Sequence, residues 1–266
     1  MEDRWVGVAD RVWVRRCREL DLSLGLVVGD DRCLVIDTGV DTDHGRAFAA
    51  AVRELTPLPW QIAYTHDHYD HWFGTAAFGE CAVWAVGDAS AYVGSGEVQR
   101  ERMAVQYRRE GRERAAERLG RSRLVPPNRT VAEAVELDLG GRTALLRPAG
   151  PAHTDNDLAV EVPDAGVLFA GDLFEHGAPP QYDDAFPQHW ARSAAHLLRR
   201  SPATVVPGHG EPGDHRWALG QARDLAEVAR LCGEVAAGRL RPEEAAANGP
   251  FDAATMRTAL ERTATQ

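Results

Sequence analysis

Four apolar runs in this chain lead, one after another, into a histidine or an aspartate with glycine nearby. WQIAYT (60–65) runs into HDHYDHWFG, and RTALLRPAG (142–150) runs into PAHTDND. VLFAGD (167–172) carries Asp172, and ATVVPGHG (203–210) carries His209. Short apolar runs rich in β-branched residues and punctuated by glycine read as buried strands. Putting polar donors at several strand exits constrains the fold strongly: those exits must meet at one edge of a sheet, or the donors serve nothing in common.

The remaining pattern fits such a sheet edge. Further strand-like runs are RVWVRRC (11–17), LGLVVGD (24–30), CLVIDTG (33–39) and CAVWAVG (81–87) in the first half. In the second half VELDL (135–139) is joined to 142–150 through Gly140-Gly141, a hairpin signal, and LAVEVPD (158–164) follows. Amphipathic stretches at 41–55 and 189–200 read as helices, the first with Asp41 at its start. Strand clusters alternating with helices in both halves predict an α/β fold of two β-sheets, each covered by helices on its outer face. No linker divides the chain, so the expectation is one domain over 1–266, with a helical insertion at about 88–120 and a helical tail at about 214–266.

Composition excludes more than it identifies. The chain has 266 residues, enough for a sizeable core, and a formal net charge of −10, which disfavours non-specific binding to nucleic acid or an anionic membrane. No apolar run approaches the roughly 18 residues of a membrane span. The N-terminus lacks the basic-then-apolar pattern of a secretory signal, and the four cysteines are scattered, so reduced thiols and a cytoplasmic location are expected. All 30 basic residues are arginine, which removes lysine as nucleophile or carboxylate anchor. Nine arginines and five glutamates fall between Glu97 and Arg123. That segment reads as a solvated helix face with internal ion pairs, or else as a flap offering an arginine to an anionic substrate.

Metal chemistry accounts for the spacing in THDHYDH. Side chains at i and i+2 of a strand or its exit loop point the same way, so His66 and His68 can share one ion. Asp70 and His71 fall where the chain turns and can face a second ion. Two ions need about four ligands each, counting bridging water. His153, Asp172 and His209 supply further donors at other strand ends. His44, His176, His189, His196 and His215 lack that context and read as ordinary surface or core residues.

In their order, THDHYDH, GPAHTDND, LFAGD and VVPGHG resemble the metallo-β-lactamase-fold superfamily over roughly residues 10–212. The resemblance implies an αββα sandwich of two mixed sheets flanked by helices. It implies that His66, His68 and His153 bind a first metal, that Asp70, His71 and His209 bind a second, and that Asp172 bridges them. It further implies that Asp37, in VIDTG, supports a ligand without being one. Two Zn2+ per chain are the expected cofactors, with iron or manganese as alternatives.

Such a pair of ions lowers the pKa of a bridging water from near 16 towards about 7 and polarises a carbonyl. The expected function is therefore a binuclear metal-dependent hydrolase attacking an ester, lactone, thioester or amide, with Asp70 orienting the nucleophile and moving the proton. The alternative on the same scaffold is a mononuclear non-haem iron persulfide dioxygenase, since imidazole and carboxylate suit zinc and iron alike. The aspartate at 172 departs from the Cys or Ser usual in zinc β-lactamases. The His66-Asp67-His68 start departs from the three histidines common in hydroxyacylglutathione hydrolases. Tyr182, in GAPPQYDDAFP, matches the place of a substrate-binding tyrosine in lactonases; Tyr69, Trp72 and Phe73 are candidates for an apolar rim. The expected partner is a small-molecule substrate, without nucleic acid or membrane, and the helical tail could serve a homodimer.

Overall fold

The computed structural model of the protein describes residues 3–265. Its first sheet contains β1 (Arg4–Ala9), β2 (Val12–Arg16), β3 (Ser23–Val28), β4 (Cys33–Ile36), β5 (Trp60–Ala63), β6 (Val83–Ala85) and β7 (Arg129–Thr130), side by side in that order. The first four strands pair antiparallel, whereas β4 through β7 are parallel. The second sheet contains β8 (Val135–Asp138), β9 (Thr143–Pro148), β10 (Leu158–Val162), β11 (Val167–Glu175), β12 (Thr204–His209) and β13 (Gly213–Asp214). Only β11 and β12 are parallel there, so both sheets are mixed.

Both faces of the central strands are apolar because both are covered. Leu24, Leu26 and Val28 of β3 point to one core, shared with α1 (Thr42–Leu55), while Val27 points to another. The latter fills the space between the sheets, where Val14, Leu34 and Ile36 meet Leu146, Val160, Phe169 and Val206. Gly25 is required there: a Cβ at that position would lie 2.6 Å from the Phe169 ring, so the two sheets approach through it. Outside the first sheet lie α1, α3 (Ala89–Arg109) and α4 (Glu113–Arg121), after the short turn α2 (Tyr69–Trp72). Outside the second lie α5 (Pro187–Leu197), α6 (His215–Ala236), α7 (Pro242–Asn248) and α8 (Ala253–Ala264). The result is the expected helix–sheet–sheet–helix sandwich.

Three details differ from the sequence reading. β1 went unforeseen because it is a half-exposed edge strand whose side chains show no clean alternation. The helical insertion is two helices, divided at Gly111, where φ is +73°. Asp172 sits inside β11 and not at its end; the pairing with β12 shifts register around Gly171, at φ +53°, and this bulge turns Asp172 to the edge. No helix among the described residues is long and apolar enough to cross a membrane.

Candidate metal centre

The parallel strands deliver the donors. β5 ends at Ala63, and the chain passes Tyr64 and Thr65 into His66; β12 ends on His209; Asp37 follows β4. Two groups of side chains result. Ligand atoms of His66, His68, His153 and Asp172 lie within 4.8 Å of one another, as do those of Asp70, His71 and His209. Asp172 ties the groups together. Its Oδ2 is 3.7 Å from His66 Nε2, 3.6 Å from His153 Nε2 and 3.4 Å from His209 Nε2, and its Oδ1 is 3.3 Å from His71 Nε2. All seven residues foreseen from sequence are brought together.

The orientation of the rings tests whether these residues fit an ion. Thr65 donates its N–H to Asp37 Oδ1 and its hydroxyl to Asp37 Oδ2, both at 2.7 Å, so Thr65 Oγ1 is left to accept from His66 Nδ1 at 3.0 Å. His71 donates from Nδ1 to Asp37 Oδ2 at 2.7 Å, and His209 from Nδ1 to the Leu20 carbonyl at 2.8 Å. His68 donates from Nε2 to Asp184 at 3.0 Å, leaving Nδ1 turned inwards, 3.0 Å from His153 Nε2. Each of these four imidazoles therefore spends one nitrogen outside and aims the lone pair of the other at the centre. Inside, His66 Nε2, His71 Nε2 and Asp172 Oδ1 are buried without a hydrogen-bond partner. Buried polar atoms are rarely left so, and convergent lone pairs held by outer hydrogen bonds are what a metal ion requires.

Electrostatics agree. Burial holds His66 well below the usual imidazole range and pushes His153 down to about 4, keeping both as neutral donors. For His71 and His209 burial also works against charge, but Asp172 and Asp70 outweigh it, joined by Asp37 at His71, and raise both well above that range. Concentrated negative charge of this kind is what a divalent cation balances. A third cluster, Asp3, Cys17 and His44, does not fit an ion: burial pushes the Cys17 thiol up to about 12, and His44 Nδ1 already accepts from Val40 N–H at 3.3 Å.

Asp37 lies outside both donor groups and accepts from Thr65 and His71, at φ +59°, a left-handed conformation costly for a residue with a Cβ. Asp37→Asn would place an amide N–H against His71 Nδ1 and turn the ring's tautomer, so that Nε2 carries the hydrogen. The expected outcome is about 10- to 100-fold weaker metal binding with an unchanged far-ultraviolet circular dichroism spectrum. Competition against a chromophoric zinc chelator measures it; unaltered affinity would refute the assignment.

Sequence reasoning missed Asp184. Its signal was faint, one of two adjacent aspartates in a loop, and only the fold shows it reaching His68. It also missed Asn156, which accepts from Asp67 N–H at 3.0 Å, and Gln99 of α3. Gln99 donates to the Asp67 carbonyl at 2.8 Å and accepts from Tyr69 N–H at 2.9 Å, clamping the histidine loop.

Three proposed substrate contacts are corrected. Trp72 is wholly buried against Tyr64, Phe73 and Tyr92, its Nε1 donating to the Asp67 carbonyl, and Phe73 is buried beside it. Tyr182 is buried against Trp190 under the second sheet. All three rings are core because other elements cover them: Trp72 and Phe73 pack in the core outside the first sheet, under Gly96 of α3, and Tyr182 packs against Trp190 of α5. Tyr69 does border the opening, with its hydroxyl 2.8 Å from that of Tyr107.

That opening is a cavity of about 230 Å³ reaching His68, Asp70 and His153, walled by α3 and by the loop of Gln181, Asp183 and Asp184. A larger cavity of about 840 Å³ beside Trp217 and Phe251 is lined by none of the seven donors; the chemistry of the donors, and not size, marks the smaller one as the site.

Histidines and carboxylates gathered at one edge of a four-layer sandwich define a class of metal-site proteins. The chain belongs to one such family: residues 22–209 match the metallo-beta-lactamase superfamily. A hydroxyacylglutathione hydrolase from Rhodobacter capsulatus is 28% identical over 243 residues, spanning 84% of this chain and 82% of the relative. Among solved structures, the stereoselective inverting sec-alkylsulfatase from Pseudomonas sp. superposes with a TM-score of 0.78 at 14% identity, over 98% of this chain and 50% of that one. A metallo-beta-lactamase from Erythrobacter litoralis gives a TM-score of 0.61 at 22% identity, over 84% and 95% of the two chains.

Proposed function

We propose that the protein is a binuclear metal-dependent hydrolase cleaving an ester, lactone, thioester or amide of a small substrate. The observation that carries this reading is the inward convergence of donors in two groups joined by Asp172. His66, His68 and His153 would hold one ion, Asp70, His71 and His209 the other, and Asp172 both. Zinc is the first choice, ahead of iron or manganese. Two divalent ions supply an acidified water and a Lewis-acidic grip on a carbonyl oxygen.

The chain's own residues do the rest. Asp70 borders the cavity; burial works against its charge, but His71 and His209 hold its carboxyl below the usual range, so it stands ionised to accept a proton. Asp184 fixes the His68 ring, and the α3 wall limits what enters. At about 230 Å³ the cavity is below the roughly 300–1,000 Å³ of sites for drug-sized ligands, which favours a small substrate over a long acyl chain. The second group of donors counts against the mononuclear iron dioxygenase, which would leave Asp70, His71 and His209 without a use.

Elemental analysis of protein purified without added metal should find close to two zinc ions per chain. A lactone, thioester and ester panel should then show turnover that a chelator abolishes. Predominantly one iron per chain, with oxygen uptake on persulfides, would overturn the reading.

A further inference from the structure

The cavity has a donor whose purpose the proposed hydrolysis does not explain. Gln99, Arg102 and Gln106 of α3 all face it, being three and four residues apart on one side of the helix. Gln99 gives its amide N–H groups to the Asp67 carbonyl and Ser95, Gln106 donates to Glu110, and Gln181 across the cavity donates to the Pro179 carbonyl. Arg102 is different. Arg100 pairs with Glu97, Arg112 with Glu19 and Arg118 with Asp41, whereas Arg102, Arg109 and Arg114 are exposed and have no carboxylate or carbonyl acceptor among the described residues; of all these arginines, Arg102 alone lines the cavity. It does not pair even with Asp183 or Asp184, which line the same cavity.

The helix that carries Arg102 is not a loose flap. Gln99 anchors it to the histidine loop, and Tyr107 anchors it to Tyr69. The guanidinium therefore stands on a fixed wall beside the metal centre, with its N–H groups unspent.

Resting on the hydrolase reading, we propose that Arg102 is a specificity residue that receives a carboxylate carried by the substrate away from the scissile bond. A planar guanidinium matches a carboxylate through two parallel hydrogen bonds. A single unpaired cation balances a monoanion, whereas a phosphate dianion would meet Asp183 and Asp184 with no second positive side chain to offset them. The substrate class is thus a small carboxylate-bearing ester, thioester or lactone.

The test compares 4-nitrophenyl hemisuccinate and hemiglutarate with the neutral butyrate and valerate esters of similar length, on the zinc-loaded protein. The ratio of kcat/KM, anionic over neutral, should favour the anionic esters and fall about 10- to 100-fold in Arg102→Ala. It should be partly kept in Arg102→Lys. Arg114→Ala, which removes an exposed charge on α4 outside the cavity, should keep the ratio. Calorimetric binding of the uncleaved hemisuccinamide should weaken by a similar factor in Arg102→Ala. Turnover of both ester classes with a ratio that ignores Arg102 overturns this proposal and leaves the hydrolase standing. Binding of hemisuccinamide that needs Arg102, without turnover of any ester, leaves the anion site standing and removes the hydrolase. Neither binding nor turnover overturns the proposal.

Discussion

Asp172→Ala is expected to leave fewer than one metal ion per chain after dialysis and to lower kcat by about 1,000-fold, the equivalent of ~4 kcal/mol of lost transition-state stabilisation. The size of the effect follows from position. Asp172 approaches the inner nitrogens of four histidines drawn from both groups, at 3.3 to 3.7 Å. Asp70 reaches only His209 at 3.3 Å and His71 at 3.8 Å, both in its own group. On the proposed binuclear reading, losing Asp172 would remove a ligand from each ion and the negative charge that would offset their mutual repulsion. Inductively coupled plasma analysis and steady-state kinetics on the same preparation measure both outcomes. A variant that still holds two ions would show that Asp172 does not bridge.

Much of this site was legible in the sequence, and for a physical reason. Donors at strand exits are local features: i, i+2 spacing puts His66 and His68 on one side, and Gly150, Gly171, Gly208 and Gly210, within three residues of His153, Asp172 and His209, let the backbone turn at the edge. The parallel pairing of β4, β5, β11 and β12 then brings the exits together without further instruction. What stayed hidden depends on packing between distant segments. Asp184 reaches His68 across 116 positions, and Gln99 reaches Tyr69 across 30. The aromatics misled for the same reason. Trp72 and Tyr182 lie near ligands along the chain, but the direction of a ring is set by what covers it. Trp72 turns under α3, where a Cβ on Gly96 would come 2.6 Å from its ring. Tyr182 turns under the second sheet, against Trp190 of α5. Arginine-rich 97–123 is two largely exposed helices with ion pairs at Arg100, Arg112 and Arg118, and it is not a flap: at Arg102 it forms a wall of the cavity. The hydroxyacylglutathione hydrolase relative is 28% identical, and that likeness does not carry its substrate to this chain.

Gly208→Ala is expected to empty the centre as fully as Asp172→Ala does, although it changes no ligand. Gly208 precedes His209 in β12, and a Cβ there would lie 1.8 Å from Asp172 Oδ1 and 3.0 Å from the Gly171 carbonyl carbon. Such a separation is far inside van der Waals contact, so the carboxylate must leave its place. It cannot turn elsewhere and keep its role, because Asp172 is 95% buried and its position is defined by the surrounding histidines. The backbone of β12 itself tolerates alanine, since Gly208 is not among the glycines at positive φ. Overpacking should cost about 1–3 kcal/mol in thermal or urea unfolding. The decisive comparison is the double variant. With Asp172→Ala the obstructed carboxylate is gone, so adding Gly208→Ala should cost little further in either stability or metal content, a strong departure from additivity. Additive losses, or two ions retained by Gly208→Ala alone, would mean that the Asp172 carboxylate does not occupy the place between the two groups that the rest of the site requires.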